Sequence, residues 1–314
     1  MLDNPLWVER YRPNRIADTV LPEHLKKIFQ SFVDNKTIPN LLLCGGPGVG
    51  KTTVARAMLD ELECDYIILN GSLEGRKIDT IRDVVANYAS SVSLTGRRKY
   101  LIVDEADYLN ASSVQPSFRN LMEDLSKNCG FIFTCNYRDK IIAPLQSRFS
   151  IIDFKIQKED KKSIAVQIMK RLEYILTQEG VTFKKEVLAA MIVKYIPDWR
   201  RIINQLQTYT AASKTVDSGI LSTTENADIN TLLKFLKEKE FTKIRNWVGE
   251  NSDANFDDLF KSLYIDGTEL LVKESVPVWI GILGEYHYRM SLVADPEITF
   301  VAMMTSLMVS VVFK

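Results

Sequence analysis

Residues 41–53 read LLLCGGPGVGKTT. Four apolar residues run into a glycine-rich turn, and the turn runs directly into lysine and threonine. Few arrangements satisfy that order. A strand that ends in such a turn and opens a helix aims several backbone N–H groups at one point. The positive end of the helix dipole adds to them there. Gly45 and Gly50 bracket the turn, with Gly48 and Val49 inside it and Thr53 in the first helical turn. In this spacing Lys51 reaches the β and γ phosphates of a nucleoside triphosphate, and the Thr52 hydroxyl can ligate Mg²⁺.

A turn of this kind needs a sheet to stand on. YIIL (66–69), KYLIVD (99–104), GFIFTC (130–135) and SIIDF (150–154) join LLLC as short, almost uncharged, β-rich runs. Amphipathic stretches near 51–62, 78–91 and 112–126 alternate with them. Strands without a polar face are buried on both sides, and strand–helix alternation gives a parallel sheet covered by helices. The expectation is an α/β P-loop domain with five parallel strands, followed by helical sequence.

Fifty-three residues after Lys51, the strand YLIV ends in Asp104 and Glu105. Carboxylates at the C-terminal edge of a strand beside a phosphate loop suit two tasks. Asp104 can hold Mg²⁺, partly through water, and Glu105 can polarise an attacking water. Asn136 closes the strand GFIFTC. It either orients that water or simply ends the strand in a turn. Arg148, just before the last strand, reads from its own surroundings as an ordinary surface arginine.

Beyond Gln157 the pattern becomes charged and helical, with Gly180 as a stop for the first helix. A second helix is expected around 184–195 and a third from Asp198, a candidate N-cap, to Ala212. The polar run SKTVDSGILSTTENAD (213–228) reads as a linker. Helical periodicity resumes at 229. Three domains are expected: 1–155, 156–222 and 223–314.

Forty basic and forty acidic side chains cancel. Any contact with nucleic acid must therefore come from a local patch. Four cysteines without a CxxC pair and two histidines argue against structural zinc and fit a reducing cytoplasm. The N-terminus MLDNPLWVERYRP has no secretory pattern. The charge-free run Ile298–Phe313 is shorter than the ~20 residues a membrane span needs. A soluble chain with a buried C-terminal helix is expected.

WVERYRP, GGPGVGKTT, VDEAD, TCN, SRF and PDWRR stand in this order along the chain. With them it resembles the clamp-loader subunits of the AAA+ ATPases, the small replication factor C subunits among them, with the loaders of T4-like bacteriophages as the nearest branch. The likeness spans about 1–210; over 229–314 it rests on length and helical character. The resemblance implies an ATP hydrolase with ATP and Mg²⁺ as its cofactors, made of an AAA+ domain, a helical lid and a helical collar. It implies three kinds of partner: a sliding clamp, primer–template DNA held through its phosphates, and other loader subunits, namely several copies of this chain and a different small subunit. In a viral setting the compartment would be the host cytoplasm. A DEAD-box helicase would need a SAT motif where TCN stands. A bacterial tau/gamma protein would need a four-cysteine zinc module. The alternative that keeps most of the motifs is an AAA+ branch-migration motor, which would carry a winged-helix domain with β-hairpins at the C-terminus.

The resemblance also implies roles for single residues. Val8, Glu9, Arg10 and Tyr11, with Val20, would surround the adenine. Arg148 in SRF would complete the ATP site of a neighbouring subunit, with Phe149 replacing the usual cysteine of that motif. Arg200 would reach the γ phosphate from the lid, with Arg201 beside it as the competing choice. Lys77 would link DNA phosphate to Glu105. Gln115 and Arg119 would couple neighbouring sites, and Val92 and Leu94 would plug into the clamp.

Overall fold

The computed structural model describes residues 5–74, 84–89, 91, 96–157, 159–211, 213–223, 229–251, 256–290, 292–293 and 295–314. Lys77, Val92 and Leu94 lie outside these residues. The chain divides into two compact units, Met1–Leu221 and Ser222–Lys314.

In the first unit, β1 (Leu41–Cys44), β2 (Tyr66–Asn70), β3 (Lys99–Asp104), β4 (Cys129–Cys135) and β5 (Ser150–Asp153) form one sheet in the order β2-β3-β4-β1-β5. Every pairing is parallel. Phe154, expected as the last strand residue, falls just past β5 and donates its N–H to Cys44 O at 2.7 Å. The register sets Cys44 opposite Cys135 and Asn70 opposite Asp104, so the strands end near one line. Ligands of open parallel sheets bind beyond that C-terminal edge.

Alternation along the strands sorts the apolar side chains onto two faces. Leu41, Leu43, Ile102 and Ile132 pack with helices α1 (Glu23–Asp34) and α2 (Lys51–Glu61), through Phe29, Val54 and Met58 among others. Leu42, Leu101, Val103, Phe131 and Phe133 pack on the other face with helix α3 (Val114–Asp124), through Phe118 and Met122. Burial on both faces is why β1 and β4 carry no charge and β3 carries it only at its ends.

Helices α4 (Asp160–Gln178), α5 (Lys185–Tyr195) and α6 (Trp199–Thr210) follow within the same unit. Gly180 takes φ +65°, the left-handed stop that suits glycine. The Asp198 carboxylate caps α6 by accepting from Arg201 N at 3.2 Å. The linker expected over 213–228 is corrected in part. Thr215–Val216 pairs in parallel with Thr182–Phe183, and Val216 and Ile220 are buried in the helical core. The same core buries Trp7, which is 7% exposed. Gln207 accepts from Trp7 N at 3.0 Å and donates to Pro5 O at 2.7 Å. The N-terminal strap is thus built into the lid.

The second unit is helical among its described residues, apart from a single antiparallel bridge between Leu271 and Phe313. Its core holds Leu232, Trp247, Trp279 and Phe300. The charge-free C-terminal run forms α7 (Pro296–Ser310), capped by Asp295, whose carboxylate accepts from Glu297 N at 3.0 Å. Phe300, Met303, Met304 and Leu307 are buried within this unit, whereas Ile298, Val309 and Val312 are 69%, 75% and 62% exposed. No described helix is long and apolar enough to cross a membrane.

Candidate nucleotide site

The turn between β1 and α2 is fixed by packing as well as by sequence. Gly48 has φ +71°, and a Cβ there would meet Asp198 Oδ1 at 1.8 Å, so only glycine lets the lid come this close. Gly50 has φ +94° and turns the chain into α2. The Lys51 side chain, from a residue only 8% exposed, lies across the turn. Its ammonium donates to Gly45 O and Gly46 O, both at 2.7 Å, and to Asn136 Oδ1 at 2.8 Å. Three donors meet three acceptors. Burial pushes the Lys51 pKa down, and the nearby carboxylates of Asp104 and Asp107 oppose that shift. A triphosphate would add anionic charge beside this ammonium and favour its protonated form.

Asp104 ends β3 next to the start of α2. Its Oδ1 accepts from Thr52 Oγ1 at 2.7 Å and from Thr134 Oγ1 at 2.5 Å. A hydroxyl and a carboxylate, both hard oxygen donors, fit Mg²⁺, which commonly takes one or two protein oxygens and completes its shell with phosphates and water.

Glu105 has left-handed backbone, φ +55° and ψ +44°, which is costly for a residue with a Cβ. Two neighbours hold it there. Its N–H donates to Thr134 Oγ1 at 3.1 Å. Its carbonyl oxygen lies only 2.5 Å from where a Cβ on Gly71 would stand, so the chain leaving β2 can pass only as glycine. Thr134 thus fastens both carboxylate residues. Asp107, 5% exposed, accepts from Asn136 N and Tyr137 N, both at 3.3 Å, and fixes the turn that presents Asn136.

A cleft of about 120 Å³ opens beside the turn. Val8, Tyr11, Val20, Gly48, Val49, Gly50, Lys51, Thr52, Thr53 and Arg200 line it. Ile168, Arg171, Leu172, Trp199 and Ile203 line it as well. Those five come from the lid; Trp199 stands inside PDWRR, but nothing in the sequence marks the other four, because only tertiary folding brings α4 and α6 over the phosphate turn. Arg12 was also missed, although it stands inside WVERYRP. It donates to Thr53 Oγ1 at 3.2 Å and pairs with Glu9. Glu9 lines an adjoining polar chamber with Asp104 and Arg200. Arg10 faces elsewhere, donating to Glu179 Oε1 on the lid at 2.7 Å. Arg201 lies 5.0 Å from the Tyr195 ring, whereas its neighbour Arg200 lines the cleft.

The remaining candidates sit apart from the cleft. Gln115 is fully buried. It donates to Leu109 O at 3.1 Å and Lys140 O at 2.9 Å, and accepts from Ile142 N at 2.8 Å. It joins the segment after Glu105 to the turn after Asn136. Arg119 is exposed on the same helix. Arg148 follows the one-turn helix Ala143–Gln146 and pairs with Glu123.

Residues 41–157 match the family model for the ATPase family associated with various cellular activities. Residues 160–222 match the model for the AAA+ ATPase lid domain of the sliding-clamp-loader large subunit. The sliding-clamp-loader large subunit of Enterobacteria phage T4 is 37% identical over 242 residues, covering 76% of this chain and 75% of that protein. The replication factor C small subunit of Methanothermobacter thermautotrophicus is 30% identical over 318 residues, covering 96% and 97%. Among solved structures, the Holliday junction branch migration motor RuvB of Thermotoga maritima superposes with a TM-score of 0.53 at 19% identity, over 73% of this chain and 80% of that one. That likeness is one of fold alone.

Proposed function

This chain belongs to the clamp-loader family of AAA ATPases, and we propose that its work is to place a sliding clamp on primed DNA. It is the ATPase subunit of a clamp loader, converting ATP to ADP and phosphate. One observation carries the assignment of parts: Lys51, Thr52, Asp104 and Asn136 meet at one edge of the sheet, directly bonded to one another in two groups. A triphosphate laid along the turn would take its β and γ oxygens to Lys51 and to the N–H groups of Gly48–Thr53. Thr52 and Asp104 would hold Mg²⁺, which when bound neutralises charge on the β and γ oxygens. Glu105 would take up the proton of the attacking water, and Asn136 would orient that water. Arg200 would contact the γ phosphate from the lid. Val8, Tyr11, Val20 and the lid's Ile168, Leu172 and Ile203 would enclose the base.

In this reading ATP binding joins several copies of the chain, with a different small subunit, around an open clamp and primer–template DNA in the cytoplasm. Contacts to DNA would go to phosphates, so sequence preference is low. Hydrolysis then frees the clamp on DNA. The test is steady-state ATPase of the assembled loader with clamp, with primed DNA, and with both. Clamp and DNA together should raise the rate more than either alone. A rate indifferent to both overturns the loader assignment, and stimulation by four-way junctions alone favours branch migration.

The division into an AAA+ domain (1–155), a lid (156–222) and a collar (223–314) is part of the same proposal. The collar would hold the oligomer together through its exposed apolar positions. The double substitution Val309→Asp, Val312→Asp changes side chains that its own unit leaves exposed, 75% and 62%. It should therefore keep the helical circular dichroism spectrum and lose co-sedimentation with partner subunits. An assembly of undiminished size would remove this surface from the interface.

A further inference from the structure

Glu123 stands at the end of α3, and Arg148 lies beside it in space although 25 residues on in sequence. Two elements hold the arginine. Its Nη2 donates to Glu123 Oε1, and its Nη1 donates to the carbonyl of Pro144 at 2.7 Å. The hydrogen bond and charge of Arg148 pull the Glu123 carboxyl below its usual range, with Arg119, one turn back on α3, adding to the effect. Arg148 Nε is buried without a hydrogen-bond partner among the described residues.

A surface arginine ordinarily samples many rotamers, and fixing it on contact costs affinity or rate. This one is already fixed. Of its five N–H donors, the two bonds use one on each Nη and burial removes Nε–H, which leaves one donor on each Nη. Two N–H donors, one on each Nη, therefore remain for a phosphate. Contact with an anion therefore requires neither bond to break.

We infer that Glu123 is a positioning residue for Arg148, holding its guanidinium in the geometry that completes the ATP site of a neighbouring copy. The inference rests on the reading of Arg148 as an arginine that acts in trans. The carboxylate partly offsets the arginine's charge, so its contribution is geometric. Misplacement of a transition-state contact by about 1 Å can cost on the order of a hundredfold.

The assembled loader, with clamp and primed DNA, is compared for Glu123→Ala, Glu123→Gln and Arg148→Ala. Glu123→Ala should lower kcat by up to about a hundredfold with the KM for ATP unchanged. Glu123→Gln, which keeps an acceptor for Nη2, should recover much of the loss. Mixing Glu123→Ala subunits with Lys51→Ala subunits should raise the rate per Glu123→Ala subunit, because the neighbour then supplies a braced arginine. A folding defect would give no such rise. If Arg148→Ala collapses kcat while Glu123→Ala stays within about twofold of the unsubstituted loader, or exceeds it, the brace is wrong and the trans arginine stands. If Arg148→Ala itself leaves kcat unchanged, the reading beneath both fails.

Discussion

Replacing Arg148 by alanine should lower kcat of the assembled loader by about 10³–10⁵-fold, the range spanned by trans-acting arginines in phosphoryl transfer. The γ phosphate gains charge as its bond to the β phosphate loosens, and an arginine fork stabilises that charge only as it develops. Arg148 bonds to Pro144 and Glu123 and lines no part of its own chain's cleft. ATP affinity of the isolated subunit should therefore be unchanged. Mixed assemblies separate trans from cis action. A subunit with Arg148→Ala still binds ATP, and a Lys51→Ala neighbour still offers a sound arginine, so their shared interface should hydrolyse. Steady-state rates should peak at intermediate mixing ratios. A flat baseline across all ratios would return Arg148 to an ordinary surface side chain.

Glu105→Gln should leave ATP bound and all but stop its turnover, with a loss of about 10²–10⁴-fold. The amide is nearly isosteric and cannot take a proton from water. The held backbone of Glu105 makes this a clean test, because the Thr134 bond and the close pass of Gly71 involve main-chain atoms that the substitution leaves alone. Such a loader should bind clamp and primed DNA in the presence of ATP and fail to release them. Single-turnover hydrolysis within about twofold of the unsubstituted protein would remove Glu105 as the base.

The parts of the fold that were legible in the sequence share a physical cause. β1 and β3 have the residue limits expected of them, because strands buried on both faces exclude charge and are bounded by glycine or carboxylate. The phosphate turn was legible because few functions need glycine, lysine and threonine at that spacing. Only the first part of the segment after Ala212 departs from a linker. Its polar majority hid two anchors, Val216 and Ile220, whose partners lie on another strand and in the lid core. Arg10 and Arg12 stand two apart in one motif, and local pattern could not say which one enters the site. The structure turns Arg10 to Glu179 and Arg12 to Thr53. The lid's aliphatic share of the cleft was invisible for a general reason: Ile168, Leu172 and Ile203 look like any helix core, and their place on the cleft wall exists only where two subdomains meet. Fold likeness alone would also have misled, since the branch-migration motor shares the architecture at 19% identity while the clamp-loader relatives are 37% and 30% identical.

The strap that buries Trp7 in the lid has a mechanical consequence. Tyr11 donates to Glu179 at 2.6 Å and its carbonyl accepts from Arg171 at 2.5 Å, so this one residue ties the strap to α4 and to the residue that ends it. The strap supplies Val8 and Tyr11 to the cleft, and the lid supplies Ile168, Leu172 and Ile203. These walls are therefore bonded to each other, while the phosphate turn joins β1 to α2. In the proposed reading a nucleotide would lie across the seam like a gauge block, its base against the strap and lid and its phosphates against the turn. Its length would set the gap between them. Cutting off the terminal phosphate would shorten the block at the end where Arg200 stands, so the chemistry would be registered as a change of spacing.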